Sequence, residues 1–481
     1  MPQNLLVILS DEHQSRALSG LGHFCQTPNL DRLMTRGTTF TNAYTPSPIC
    51  VPARASFATG HYAHKNRLWD NAMPYTGAIP GWGHALQDAG IDVESIGKLH
   101  YRDTNDPNGF DVEHSPMNVV DGVGMVWGSI RQEEERVTPT SRMLGDYIGP
   151  GTSKYTDYDQ AMTDIAVQWF KDRRAQKPDE PFCLYIGLVA PHFPMVVPEE
   201  FYRIYAEMEN LPQPKLPAGS GHVNHPWVAL QNSLMDTEAN FKSPAERQAF
   251  IAAYWGLVTW MDHNVGRILE ALEENGFGDT TTVIYSSDHG DNVGARGLWG
   301  KSNLYEESAA VPMIAVGPGF KAGGQVETPV SLIDVSVSIT GHFDLEMPET
   351  ALGPCPGRDL RALASEPYDG ERVVFSEYHA AGSVSGAFMV RKGDWKYNYY
   401  AGMAPELFDL KSDPEELINL AGSAAASAKQ TEMHAALLNI CDPEEMNRLA
   451  FADQAALIDS HGGREAALKL GAPGATPPPK I

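Results

Sequence analysis

Cysteine is scarce: the chain has five, at positions 25, 50, 183, 355 and 441, an odd number with no Cys-x-x-Cys pair. That count argues against a disulfide framework and against a zinc ribbon. Positive charge is also in short supply, with 36 Lys and Arg against 61 Asp and Glu and a net charge of −25. Such a balance disfavours nucleic acid or an anionic membrane as a partner. It still permits a small anionic substrate, because a few local cations dominate a cleft. No apolar run approaches the ~20 residues of a membrane span. The opening MPQNLLVILSDEH has no basic segment, and its short apolar run ends in acids. It reads as a first strand rather than a signal peptide, and a cytoplasmic enzyme is the expectation.

What is present is an alternation of buried strands and helices. The runs NLLVIL (4–9), DVESIG (92–97), FCLYIGLVA (182–190), TTVIYSS (281–287) and PMIAVG (312–317) read as buried parallel strands. Between them, TPNLDRLMTRG predicts a helix with Thr27 as N-cap, Pro28 in the first turn and Gly37 as stop. A longer helix opens on a Ser243/Glu246 capping box and repeats Phe250, Tyr254, Leu257, Met261, Ile268 and Leu272 before Gly276. The fold class is therefore α/β: a large mixed, mostly parallel sheet sandwiched by helices, with a smaller C-terminal α+β domain. The expected division is a catalytic domain at 1–345, a small antiparallel-sheet subdomain at 346–425 and a helical tail at 426–481. The small sheet is carried by RVVFSEY, GAFMVRKGDWKYNYY and ELFDL, and a helix is predicted over SDPEELINLA from Asp413. The tail has a second capped start at Asp442, suggests homodimer or homotetramer contacts, and ends in a flexible ATPPPKI. Residues 103–160 and 193–240 have weak periodicity and read as long surface loops over a cleft.

The segment SPICVPARASFATG (47–60) is unusual among these elements. Pro46 and Pro48 keep the chain extended up to Cys50, and Pro52 suits a first helical turn. Cys50 thus sits near a helix N-terminus, where free N–H groups favour negative charge, and Arg54 returns to the same face at i+4. Taken alone, Cys50 could be a small buried hydrophobe, or the thiolate of a phosphatase with unusually close Cys and Arg. The other strand ends bear on the choice. In open α/β sheets ligands bind at the carboxyl ends of the strands, and here those ends carry Asp11 and Glu12, Lys98 and His100, His192, and Asp288 and His289. Singly each is an ordinary polar residue after a strand. Jointly, with Lys301, they point to a metal-dependent anion site in which Asp11, Glu12, Asp288 and His289 form a mostly oxygen ligand set.

At NLLVILSDE, TPNLDRLMTRGTTFTNAY, CVPARASFATG, GKLH, APHFP, VTWMDHNVGRILEAL, SSDHGDNVGARGLWGKSNLYEES and LFDLKSDPEELINLA the chain resembles the formylglycine-dependent (type I) sulfatases of the alkaline phosphatase superfamily, in their arylsulfatase and choline-sulfatase-like branch. The resemblance covers nearly the whole chain. It departs at Ala53, where Ser is usual, and at Glu12, where Asp or an amide is commoner. It implies that a maturation enzyme oxidises Cys50 to formylglycine, whose hydrate attacks the sulfur of a sulfate monoester. It also implies one divalent ion, calcium or manganese, on Asp11, Glu12, Cys50, Asp288 and His289. Arg54 and Lys98 would offset charge, His100 would take the proton that lets sulfate leave, and His192 and Lys301 would bind sulfate and protonate the leaving oxygen. Phosphonate-hydrolysing relatives carry hydroxyl residues where this chain has Lys98 and His100. A phosphonate monoester or phosphodiester hydrolase, a choline sulfatase and an unmodified, inactive binding protein are the alternative readings.

Overall fold

Two rows of aliphatic side chains on one strand set the architecture of the computed structural model, which describes residues 3–131, 145–471 and 475–480. Along Asn4–Asp11, Leu6 and Ile8 enter one apolar cluster while Leu5, Val7 and Leu9 enter another on the opposite face. This is the two-residue alternation of a strand buried on both sides. The sheet has eight strands in the order Gly324–Val326, Thr38–Phe40, Met313–Val316, Thr281–Ser287, Asn4–Asp11, Phe182–Pro191, Asp92–Lys98 and Val112–Met117. One face is covered by Lys154–Gln176, Pro244–Glu274 and Pro28–Arg36, the other by Cys50–Thr59, Trp82–Asp88 and Leu332–His342. All six repeated residues of the long helix, Phe250 to Leu272, are buried.

Several expectations need correction. The PMIAVG strand runs antiparallel to Thr281–Ser287. The connecting segment stays at the carboxyl edge, so the chain re-enters the sheet from the end it left and must reverse direction. Residues 103–160 are not all loop: Val112–Met117 is the edge strand and Lys154 opens a helix. Within 193–240, Glu199–Ala206 and Pro226–Asn232 are helical. Residues 132–144 lie outside the described residues. The helix expected over SDPEELINLA is a series of turns. There Glu416 adopts a left-handed φ of 53°, which brings its carboxylate to the buried ammonium of Lys396 at 2.8 Å. Pairing that charge outweighs helix propensity.

The strands Val373–Tyr378, Ala387–Lys392, Trp395–Tyr400 and Glu406–Asp409 form the expected antiparallel sheet. One face packs on Tyr44, Ile49 and Trp227; the other receives Met433 and Leu437 from the helix Ser427–Leu438. Asp442 caps the next helix, Pro443–Ser460, through the N–H groups of Glu444 and Glu445. No described helix is long and apolar enough to cross a membrane.

Two caps differ in detail from the sequence pattern. Ser243 accepts from the Glu246 N–H, but the Glu246 carboxylate accepts from Lys242 N–H rather than closing a box on Ser243. Thr27 is at the N-cap position without capping, since its hydroxyl is engaged by Ser19. Asp262, on the long helix, caps instead by accepting from Asn29 N–H at 3.0 Å and Leu30 N–H at 2.8 Å. Replacing Asp262 by Ala strands two donors at a buried helix start. Asp262→Ala is expected to lower unfolding free energy by about 2–4 kcal/mol in urea denaturation. A loss under about 0.5 kcal/mol would show that the cap lies elsewhere.

Candidate active site

The carboxyl edge of the sheet gathers the predicted polar residues into one buried cluster. Asp11 ends its strand, and Glu12 follows with φ 71°. Lys98 ends the neighbouring strand but one, and His100 follows with φ 58°. Left-handed geometry costs a non-glycine residue about 1 kcal/mol or more. Here it turns the chain sharply enough that both polar residues at each strand end face the cleft. Asp288 and His289 follow Thr281–Ser287, and His192 follows Phe182–Pro191. The last strand end is fixed by Asp159, whose carboxylate accepts from Val189 N–H at 2.8 Å and Ala190 N–H at 2.7 Å.

Cys50 is the first residue of the helix Cys50–Thr59 and is 1% exposed. Its Sγ lies 3.2 Å from His289 Nε2, 3.3 Å from Lys301 Nζ and 3.6 Å from Asp11 Oδ1. Burial and then Asp11 push its thiol up to about 12, which makes the encoded side chain a poor nucleophile at neutral pH. One turn on, Arg54 donates from Nε to Asp288 Oδ2 at 2.8 Å and from Nη1 to the Lys98 carbonyl and Tyr185 hydroxyl, both at 2.9 Å. Gly187 makes room for this arrangement, since a Cβ there would lie 2.1 Å from the Lys98 carbonyl oxygen. The Lys98 ammonium donates to Asp11 Oδ2. Burial pushes Asp11 upward, but Lys98, His192, Lys301 and His289 more than offset it and hold the carboxyl well below its usual range.

Donor atoms of Asp11, Cys50, Asp288 and His289 converge within 4.8 Å of one another, all buried. His289 Nδ1 faces the Gly290 carbonyl at 3.1 Å, which leaves Nε2 toward the cluster. Two carboxylates, an imidazole nitrogen and residue 50 suit a divalent cation. Glu12 does not join this group of four; it clusters with Asp11 and His192. Its Oε2 lies 3.1 Å from Lys301 Nζ and 3.6 Å from His192 Nε2, and its carboxyl shares a hydrogen bond with that of Asp291. Burial pushes Glu12 up to about 8 against the pull of Lys301.

On the open side, His192 Nδ1 bonds the Phe193 carbonyl at 2.6 Å, so Nε2 faces the cleft. His100 Nε2 is 2.9 Å from Thr476 Oγ1. Burial, then Lys98 and Arg54, lower His100 well below its ordinary value and keep it neutral. Above the cluster opens a pocket walled by Met125, Trp127, Tyr155, Phe193, Met235 and Trp299, with Asn71, Gln231 and Thr237 as polar points. The two weakly periodic stretches do supply much of this wall. All ten sequence-predicted site residues line the pocket or touch its base. Asp291, Tyr185 and Asp159 were missed; Asp291 was legible inside the SDHGD block, whereas Tyr185 and Asp159 act from within a strand and a helix. The tail expected to be flexible is corrected in part: its residues Ala475 and Thr476 line the cleft.

Comparison with known proteins agrees with this geometry. Residues 3–345 match the Sulfatase family, and residues 294–450 match the C-terminal region of N-sulphoglucosamine sulphohydrolase. Choline-sulfatase of Rhizobium meliloti (strain 1021) is 31% identical over 90% of this chain and 85% of its own length. Human arylsulfatase K is 30% identical over 87% of this chain and 78% of its own. The phosphonate monoester hydrolase of Silicibacter pomeroyi superposes with a TM-score of 0.73 over 91% of this chain and 94% of its own, at 24% identity, and so shares the fold. The chain belongs to the sulfatase family.

Proposed function

We propose that the chain, a sulfuric ester hydrolase by family, cleaves sulfate monoesters with residue 50 in the formylglycine form. The placement of Cys50 carries this reading: it is buried at a helix start, faces the cleft, and has an imidazole, an ammonium and a carboxylate within 3.6 Å of its sulfur. Oxidised by a maturation enzyme and hydrated, residue 50 supplies two hydroxyls on one carbon, one to attack sulfur and one whose deprotonation lets sulfate leave. Asp11, Asp288, His289 and residue 50, with Glu12 beside them, would hold one divalent ion that supplies a Lewis acid at the attacking oxygen. The oxygen-rich set favours calcium, and His289 shifts the preference toward manganese.

The remaining roles fall to groups the fold holds in place. Asp288, fixed by Arg54, assists loss of the proton from the attacking hydroxyl. Arg54 and Lys98 offset the charge that builds up on the transferred group. Burial works against Lys301, yet Cys50, Glu12 and Asp11 keep its ammonium well above the ordinary range. Lys301, charged and 3.3 Å from the side chain of residue 50, would supply the proton for the leaving oxygen, with His192 binding the sulfate beside it. Neutral His100 takes the proton that releases sulfate. Lys98 and His100 together favour a sulfate monoanion over a diester, whose extra substituent would crowd them.

Three outcomes are expected. Peptide mass spectrometry of protein co-produced with a maturation enzyme finds an aldehyde at residue 50, and Cys50→Ala lowers turnover by roughly 10³-fold or more. Full activity with unmodified Cys50 would sink the mechanism. Elemental analysis finds about one calcium or manganese ion per chain, lost in Asp11→Ala and His289→Ala, and chelation lowers the melting temperature; a stoichiometric zinc pair would contradict the site. Among an aryl sulfate, choline sulfate, a phosphodiester and a phosphonate monoester, a sulfate ester gives the highest kcat/KM. His100→Ala slows turnover by roughly 10²–10⁴-fold while leaving a first-turnover burst of alcohol. A preference for the phosphonate over both sulfates would overturn the assignment.

A further inference from the structure

We infer that Thr476 is a positioning residue for His100, so that the chain's own C-terminal segment completes the active site. The inference rests on the proposed role of His100 and adds what holds that imidazole. His100 is 5% exposed and offers two ring nitrogens. Nε2 meets Thr476 Oγ1 at 2.9 Å, while Nδ1 is buried with no partner among the described residues. An imidazole that gives its Nε2–H to a hydroxyl keeps an unprotonated Nδ1, the nitrogen available to accept a proton. Once Nδ1 is protonated, the Nε2–H···Oγ1 bond becomes charge-assisted and stabilises the imidazolium as it forms. A left-handed backbone at residue 100 leaves few alternative directions for the ring, and the Thr476 hydroxyl holds the one it takes.

Described residues of the segment are held by contacts of their own. Leu470 packs with Val126 and Ala467. Gly471, at φ 82°, lies against Gly124 so closely that a Cβ would fall on the Gly124 carbonyl oxygen. Ala475 packs against the central apolar cluster, and the Tyr155 hydroxyl donates to the Thr476 carbonyl oxygen. Two independent contacts therefore hold Thr476, one through its backbone and one through its side chain. A segment that merely plugged the cleft would need only bulk there. A hydroxyl placed on one ring nitrogen fixes the orientation of the ring and can accept from its N–H as charge develops there.

The test compares Thr476→Val, which keeps the shape and removes the hydroxyl, with Thr476→Ser, which keeps the hydroxyl. Both are read by steady-state and first-turnover kinetics on an aryl sulfate, with melting temperature as a control for folding. The expected result for Thr476→Val is a kcat roughly 10-fold lower, as for a lost hydrogen bond to a charge-bearing ring. Its KM should stay within about twofold of wild type, with a burst of released alcohol that marks slow sulfate release. Thr476→Ser should restore kcat. A Thr476→Val enzyme equal to wild type would overturn the inference. So would a change in KM alone, which would make the segment a passive wall, or a faster kcat, which would make it a plug. If Thr476→Val matches wild type on a sulfate ester that the wild type does turn over, only this inference fails. If wild type turns over no sulfate ester, the functional reading fails with it.

Discussion

Buried carboxylates held by buried cations at one edge of a sheet are the constraint on which this molecule depends. Asp288 with Arg54, Asp11 with Lys98 and Glu12 with Lys301 place six ionisable groups where water is largely excluded. Desolvating each ion costs several kcal/mol, and removing one partner from such a pair typically costs about 3–5 kcal/mol. The surrounding structure makes sense as what keeps these pairs in register. Tyr185 and the Lys98 carbonyl accept from Arg54 Nη1, and a glycine opposite Lys98 lets that carbonyl stay exposed to the guanidinium. The site is expensive to build, and its geometry is correspondingly hard to relax.

Concentrating charge at the floor divides the cleft into two chemical regions. The floor is ionic and rigid, and its cations face the place a sulfate would occupy. The walls are aromatic, thioether and amide, contributed mostly by connecting segments over the sheet. On the proposed function, reaction type would be set by the strand ends and choice of alcohol by the connections, which can vary without disturbing the charged pairs. The two named curated relatives fit this division, since a choline-sulfatase and an arylsulfatase differ in the alcohol they are named for.

Five of the eight strands were legible in the sequence as largely apolar runs, and the floor of the site was legible because four of those runs end in carboxylates, histidines or a lysine. The Cys50 helix start was equally readable from its prolines. What escaped depends on contacts distant in sequence. Local pattern put Thr27 as a cap, but the Thr27 hydroxyl was already engaged and Asp262 arrived from more than two hundred residues away. A good helix signal at Asp413 lost to a buried lysine that no local pattern announces. Strand direction at Met313–Val316 follows from where the preceding segment lies, which apolar content cannot encode. Thr476 sits in a proline-rich stretch whose composition suggests disorder, and only the tertiary arrangement shows it meeting His100.

Lys396 bears on how the parts come apart. Its ammonium is fully buried in the small sheet, but one of its carboxylates, Glu306, belongs to the segment after Lys301, and Glu416 belongs to the turns after the sheet. Detached from the larger region, the small sheet would keep a buried cation with half its counter-charge and would also expose the face that covers Tyr44 and Trp227. Neither half therefore has a low-energy state of its own. The architecture looks modular, yet its unfolding should be a single cooperative event, in which loosening the periphery also loosens the segment that carries Lys301.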